Sequence, residues 1–190
     1  MKRVFIAHGW GGYADEGWFP WLKAELIMRG YEATVLSMPN ADRPTIEEWI
    51  PFLQQTVGSP TIDTSFIGHS IGCQTIIRYL QTLPGGRVDR VVLVAPWMSL
   101  NPAEMKDEDS RTIAAPWMPT PIDWPTIRRR ASSFTAIFSR TDPFVLLEEA
   151  ERFKQELGAH VELLDGPGHF SGSDGLIKLP AALEAIIHPA

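Results

Sequence analysis

The chain has 190 residues, 44% of them hydrophobic and 21% charged, with one cysteine and a net charge of −6. A chain of this size is expected to form one domain over residues 1–190, with a core large enough to need no disulfide or metal staple. The acidic balance excludes the basic face that nucleic acid would require, and no run approaches the roughly 18 apolar residues of a membrane span.

Basic Met1-Lys2-Arg3 leads into Val4–Ala7, a short apolar run that stops at His8-Gly9, well short of a signal-peptide core of roughly 7–15 residues. A soluble, cytoplasmic protein is therefore expected. Val4–Ala7 is the first of six short apolar, β-branched runs, the others being Ala33–Leu36, Thr64–Ile67, Val91–Ala95, Phe134–Phe138 and His160–Leu164. Runs this short, closed by Gly or Pro, read as buried strands of a parallel sheet.

Between them lie segments with helical spacing. Trp18–Arg29 places Trp18, Trp21, Leu22 and Leu26 on one face. Thr45 opens a helix to Val57, with Glu48 as capping-box partner and Pro51 as a possible kink. Further helices are expected over Ile71–Leu83, Val145–Leu157 and about Leu176–Ile187, where Pro180 blurs the start. The alternation predicts an α/β architecture: a mostly parallel, doubly wound sheet of about six strands with helices on both faces. The Pro-rich stretch Ser99–Trp124 shows no period and reads as a minimal cap over one end of the sheet. Arg128-Arg129-Arg130 reads as a solvated helix end.

Chemistry concentrates where strands end. Gly68-His69-Ser70-Ile71-Gly72 lies between the third strand and a helix, the setting of a nucleophile elbow, in which a strained turn lifts the serine hydroxyl above the sheet. A Cβ at Gly68 or Gly72 would collide where helix and strand cross. A serine hydroxyl needs a base, and five histidines compete for that role. His69 is expected to point away from Ser70, His8 to shape its loop, His160 to begin a strand and His188 to lie in the tail. His169 remains, in the turn-rich Asp165-Gly166-Pro167-Gly168-His169-Phe170 after the last strand, where α/β enzymes place their sites.

Ser139-Arg140-Thr141-Asp142-Pro143 follows the fifth strand. Asp142 is thus the candidate to orient His169, with Pro143 starting the next helix; a plain helix cap is the bland alternative, and Asp165 is the rival acid. The order Ser70, Asp142, His169 is the order of α/β-hydrolases. Backbone N–H groups of Ile71 and, from the Gly-rich loop His8–Gly12, of Trp10 are expected to hold an oxyanion. His8, Trp97, Trp117 and Phe170 are candidate pocket residues.

His8-Gly-Trp-Gly-Gly, Gly68-His-Ser-Ile-Gly-Cys, Val94-Ala-Pro-Trp, Ser139-Arg-Thr-Asp-Pro and Gly168-His-Phe together resemble the retinoblastoma-binding-protein-9-like (YdeN) family of small serine hydrolases. The resemblance covers nearly the whole chain. It implies a short α/β-hydrolase fold, esterase-like activity, and a triad carried by Ser70, Asp142 and His169. The Leu-x-Cys-x-Glu motif linked to retinoblastoma-pocket binding is absent, since the one cysteine sits in Ile71-Gly72-Cys73-Gln74-Thr75. Cys73 reads as a small buried hydrophobe.

The expected reaction is acyl transfer from a small to medium ester or amide, with no metal or cofactor. An acyltransferase, or a non-catalytic binding module that keeps the fold, stays open, as does peptide cleavage. A monomer is favoured.

Overall fold

Every apolar run becomes a strand: β1 (Arg3–Ala7), β2 (Glu32–Val35), β3 (Thr64–His69), β4 (Val88–Val94), β5 (Ala131–Ser139) and β6 (His160–Leu164). The structure, a computed structural model, describes residues 1–166 and 168–188; Pro167, part of the turn expected before His169, lies outside them. The six strands form one sheet in the order β2-β1-β3-β4-β5-β6. All neighbours pair in parallel. Central β3 is buried at all six positions, because helices cover both faces and no side chain of such a strand meets water. The edge strand β6 is only half buried.

Seven α-helices connect the strands among the described residues: α1 (Phe19–Met28), α2 (Ile46–Val57), α3 (Ile71–Thr82), α4 (Glu108–Ala114), α5 (Trp124–Arg129), α6 (Glu148–Leu157) and α7 (Pro180–Ile187). Helices α1 and α7 pack together on one face, whereas α2, α3, α5 and α6 form a row on the other. No described helix is long and apolar enough to cross a membrane. The chain order reverses between β1 and β3, so the loops after these two strands part there and leave a crevice at the carboxyl edge.

Several boundaries differ from those the sequence predicts. Pro180 marks the start of α7, in keeping with the fit of proline to a first turn. Helix α6 begins at Glu148, not near Pro143, because residues 143–147 are held in a turn by the Asp142 side chain. Thr45 precedes α2 as expected but forms no capping box: its hydroxyl donates to the Glu48 carboxylate instead, 3.2 Å away. Pro51 lies inside α2, which runs on to Val57. Arg128 and Arg129 end α5, while the Arg130 guanidinium reaches back to the Leu83 carbonyl (2.7 Å).

The stretch Ser99–Trp124 is more ordered than its sequence indicates. It contains α4, capped by Asp107, which accepts the Ser110 N–H at 2.7 Å, and a 3-10 turn at Ala115–Trp117. Trp117 is fully buried. Its ring lies edge-on to Trp49 of α2 at 6.2 Å, and its indole donates to the Pro44 carbonyl. Buried Arg78 of α3 donates to the carbonyls of Trp117 (2.6 Å) and Thr120 (3.1 Å). Residues 115–120 are therefore bolted to the body. Residues 100–110 are largely exposed.

Candidate active site

The turn after β3 is set by sterics. Ser70 adopts φ 52°, ψ −120°, a conformation that non-glycine residues avoid and that costs about 1–3 kcal/mol. A Cβ on Gly68 would lie 2.7 Å from the Cys73 nitrogen, and one on Gly72 would lie 2.5 Å from the Ala7 carbonyl oxygen. Only glycine permits β1, β3 and α3 to approach this closely. The Ser70 N–H donates to the Val94 carbonyl at 2.9 Å, tying the turn to β4. Cys73 is fully buried against that same carbonyl, and burial pushes its thiol well up. A thiol so buried is a poor nucleophile.

Above this turn the structure brings together three side chains from three strand ends. The Ser70 hydroxyl donates to His169 Nε2 at 2.8 Å. On the other side of the ring, His169 Nδ1–H donates to Asp142 Oδ2 at 2.7 Å. Asp142 is nearly sealed from water, with 2% of its side chain exposed against 14% for His169. Its Oδ1 accepts the N–H groups of Phe144 (2.8 Å) and Val145 (3.0 Å). Asp142 therefore serves as turn cap and histidine partner at once, one oxygen for each. Asp165 does neither: its exposed carboxylate pairs with Arg140 at the surface. Such a chain can remove the serine proton, hold one imidazole tautomer and stabilise the imidazolium that forms.

The loop carrying His169 is held by groups that the sequence reading overlooks. Asp174 Oδ2 accepts the N–H of His169 (3.0 Å), the N–H of Ser171 (2.9 Å) and the Ser171 hydroxyl (2.8 Å). Ser171-x-x-Asp174 is a capping-box pattern, so that signal was legible. Gly168 (φ +43°) leaves room for Asp174, whose Oδ1 would sit 2.5 Å from a Cβ there. Glu16 accepts the Gly172 N–H at 3.1 Å.

His69 also serves this loop. Its ring lies 5.2 Å from that of His169, and its Nε2–H donates to the His169 carbonyl at 2.8 Å. Burial, reinforced by the neighbouring His169, lowers its pKa from 6.5 to about 3. Between these values the unfolded chain takes up a proton that the folded chain refuses, so stability falls as pH drops through this window. We expect wild type to lose about 1.4 kcal/mol more per pH unit than His69→Gln below pH 6, since glutamine keeps a donor and cannot titrate. Urea unfolding at pH 7 and pH 4 measures this; equal losses would place the linked proton elsewhere.

A cavity of about 410 Å³ opens over Ser70, within the usual range for small-molecule sites. Trp10, Trp97, Leu100, Met105 and Phe144 give it apolar walls, and Glu16, Glu104 and Asp107 also line it. Of the candidate pocket side chains, Trp97 borders the cavity; His8, Trp117 and Phe170 do not, and the expectation for these three is corrected. His8 lies beneath the floor, its Nδ1–H donating to the Gly9 carbonyl (2.8 Å) and its Nε2 accepting the Met38 N–H (3.2 Å). Trp117 is core. Phe170 is buried at φ +59°, its ring covering Gly166 and its carbonyl accepting the Trp18 indole N–H.

At the β1/β3 crevice, the N–H groups of Gly11 and Gly12 are taken by the carbonyls of Ala41 and Gly9. Those of Trp10 and Ile71 have no partner among the described residues, and both residues line the cavity beside Ser70. Two free donors in the cavity that holds the Ser70 hydroxyl are suited to a developing oxyanion.

The sequence model of the serine hydrolase family matches residues 4–187. A Bacillus subtilis protein named as a hydrolase, YdeN, is 28% identical over 187 residues, which is 97% of this chain and 94% of that one. The crystal structure of the B. subtilis ydeN gene product superposes with a TM-score of 0.89 at 26% identity, covering 98% of this chain and 97% of the other. Est1E from Butyrivibrio proteoclasticus, solved with ferulic acid, gives a TM-score of 0.67 at 12% identity over 90% and 82% of the two chains. It shares the α/β-hydrolase fold.

Proposed function

The chain belongs to the serine hydrolase family, and from that premise we propose that it is a carboxylesterase-like enzyme whose nucleophile is Ser70. The observation that carries this reading is the unbroken relay from Ser70 Oγ through His169 to Asp142, with both contacts at 2.7–2.8 Å. His169 takes the Ser70 proton as Oγ attacks the ester or amide carbonyl, while Asp142 holds the imidazole and offsets its charge. The N–H groups of Ile71 and Trp10 receive the oxyanion. His169 then protonates the leaving group, and water releases the acyl group by the same route. Residues 1–190 act as one domain on this reading, and residues 99–124 form a small cap over the site. Kinship with retinoblastoma-binding-protein-9-like hydrolases rests on the shared motifs and brings no pocket-protein partner with it.

The cavity supports a substrate class. Apolar walls and about 410 Å³ suit a small to medium acyl or alcohol group. Glu16, Glu104 and Asp107 face the same space, and hydrogen bonds from Ser110 hold Asp107 below the usual carboxylate range, hence ionised. An anionic acyl chain would meet like charge there, offset in part at Glu104 by Lys106 3.1 Å away. Wild type should therefore react with a fluorophosphonate probe and hydrolyse p-nitrophenyl acetate and butyrate, with kcat/KM for the p-nitrophenyl hemisuccinate at least about tenfold lower at low salt. A folded protein that neither labels nor turns over esters would be a binding module. Labelling with transfer to an added alcohol in preference to water would make it an acyltransferase. Equal rates on butyrate and hemisuccinate would remove the charge argument and leave the chemistry intact.

A further inference from the structure

The nucleophile has a second partner. Trp97 Nε1 lies 3.3 Å from Ser70 Oγ and donates to it. The ring is buried, with 2% of the residue exposed, and Oγ is the acceptor of its N–H. We propose that Trp97 is a catalytic hydrogen-bond donor to the nucleophilic oxygen, a role that rests on the reading of Ser70 as nucleophile.

The fold is built to hold this contact. After β4, Ala95 turns through φ +49°, a left-handed conformation costly for any residue with a Cβ, and its N–H is fixed to the Ile137 carbonyl at 2.8 Å. That turn, followed by Pro96, throws Trp97 back over the end of β3. Gln74 Nε2 of α3 donates to the Trp97 carbonyl at 2.9 Å. Glu149 of α6, itself buried, accepts the Met98 N–H (2.7 Å) and the Ser99 hydroxyl (2.6 Å). Two helices thus clamp the residues on which the indole stands.

The chemistry follows from charge. In acylation the Ser70 proton passes to His169 Nε2, an Oγ lone pair forms the bond to the carbonyl carbon, and the carbonyl π pair moves to its oxygen. In deacylation the bond from carbon to Oγ breaks, its electron pair returns to Oγ, and His169 gives back a proton. Negative charge on Oγ peaks in both transition states, while the Trp97 N–H keeps its own proton throughout. Hydrogen bonds to charged acceptors are shorter and stronger than neutral ones. A contact of 3.3 Å in the resting site is long for N–H···O and has room to tighten as charge builds. With a proton leaving toward His169 and a donor arriving from Trp97, the hydroxyl is also confined to one rotamer.

The test replaces Trp97 by phenylalanine and, to keep the bicyclic shape, by 3-benzothienylalanine, in which sulfur takes the place of N–H. Both variants are expected to lose about tenfold or more in kcat on p-nitrophenyl butyrate, with KM within about twofold of wild type. The second-order rate of fluorophosphonate labelling should fall in parallel, because it reports attack by Oγ without reference to the ester leaving group. A benzothienylalanine variant as fast as wild type would overturn the proposal and leave the indole a packing role. A raised KM with kcat unchanged would overturn it in favour of a pocket wall. Wild type inert to both probe and ester would overturn the reading of Ser70 itself, and this proposal with it.

Discussion

Ser70→Ala is expected to lower kcat on p-nitrophenyl butyrate by at least about 10⁴-fold and to abolish fluorophosphonate labelling, without loss of fold. The magnitude follows from what remains. Without Oγ the relay of His169 and Asp142 has nothing to activate, and only the oxyanion donors and binding contribute. The stability side is specific to this turn. Alanine keeps the Cβ that makes φ 52°, ψ −120° unfavourable at position 70, whereas glycine removes it. Ser70→Gly, equally inactive, should therefore unfold about 1 kcal/mol later than Ser70→Ala, the strain relieved being partly offset by the greater freedom of unfolded glycine. Denaturant midpoints of the two dead variants measure that difference. Substantial esterase activity in either would remove Ser70 as nucleophile.

Asp142→Asn should reduce kcat by about 10⁴-fold with an intact fold. An asparagine carbonyl can still accept the Phe144 and Val145 N–H groups that Oδ1 serves now. Its amide NH₂ then points at His169 where Oδ2 stood. A donor in that place repels Nδ1–H and selects the other tautomer, which turns an N–H toward Ser70 and leaves no base. Asp165→Asn, at a surface pair with Arg140, should leave kcat within about twofold. Steady-state kinetics of the two variants decides between them, and the reverse pattern would move the acid to Asp165.

The three strand-end residues were legible because their signals are local. Each follows an apolar run, and Ser70 sits between two glycines whose sterics can be reasoned without coordinates. Apart from the capping box at Asp174, the supports were not legible, because they join residues far apart in the chain. His69 reaches the carbonyl of His169, a hundred residues on, and Glu149 reaches Met98 and Ser99 from another helix. Three of the four pocket assignments failed for a related reason. A tryptophan after a strand or in a Pro-rich segment looks the same whether it faces solvent, ligand or core, and only packing sends Trp97 to the cavity and Trp117 to the interior. Helix α4 escaped notice because seven residues show no clear period; its Asp107 cap was the one available sign.

Burial of Trp117 and Arg78 has an evolutionary corollary. Because they fix residues 115–120, most of the strip before them is free of duties to the core. Leu100 packs against the core and Asp107 caps α4, but Glu104 and Met105, which also face the cavity, stand on a half-exposed segment whose replacement leaves the sheet untouched. Substitutions there fall where effects on stability stay within about 0.5 kcal/mol, so lineages can exchange them nearly neutrally and drift between substrate repertoires. A library randomised at these two positions should consequently yield many folded members that differ in ester preference and few that fail to fold.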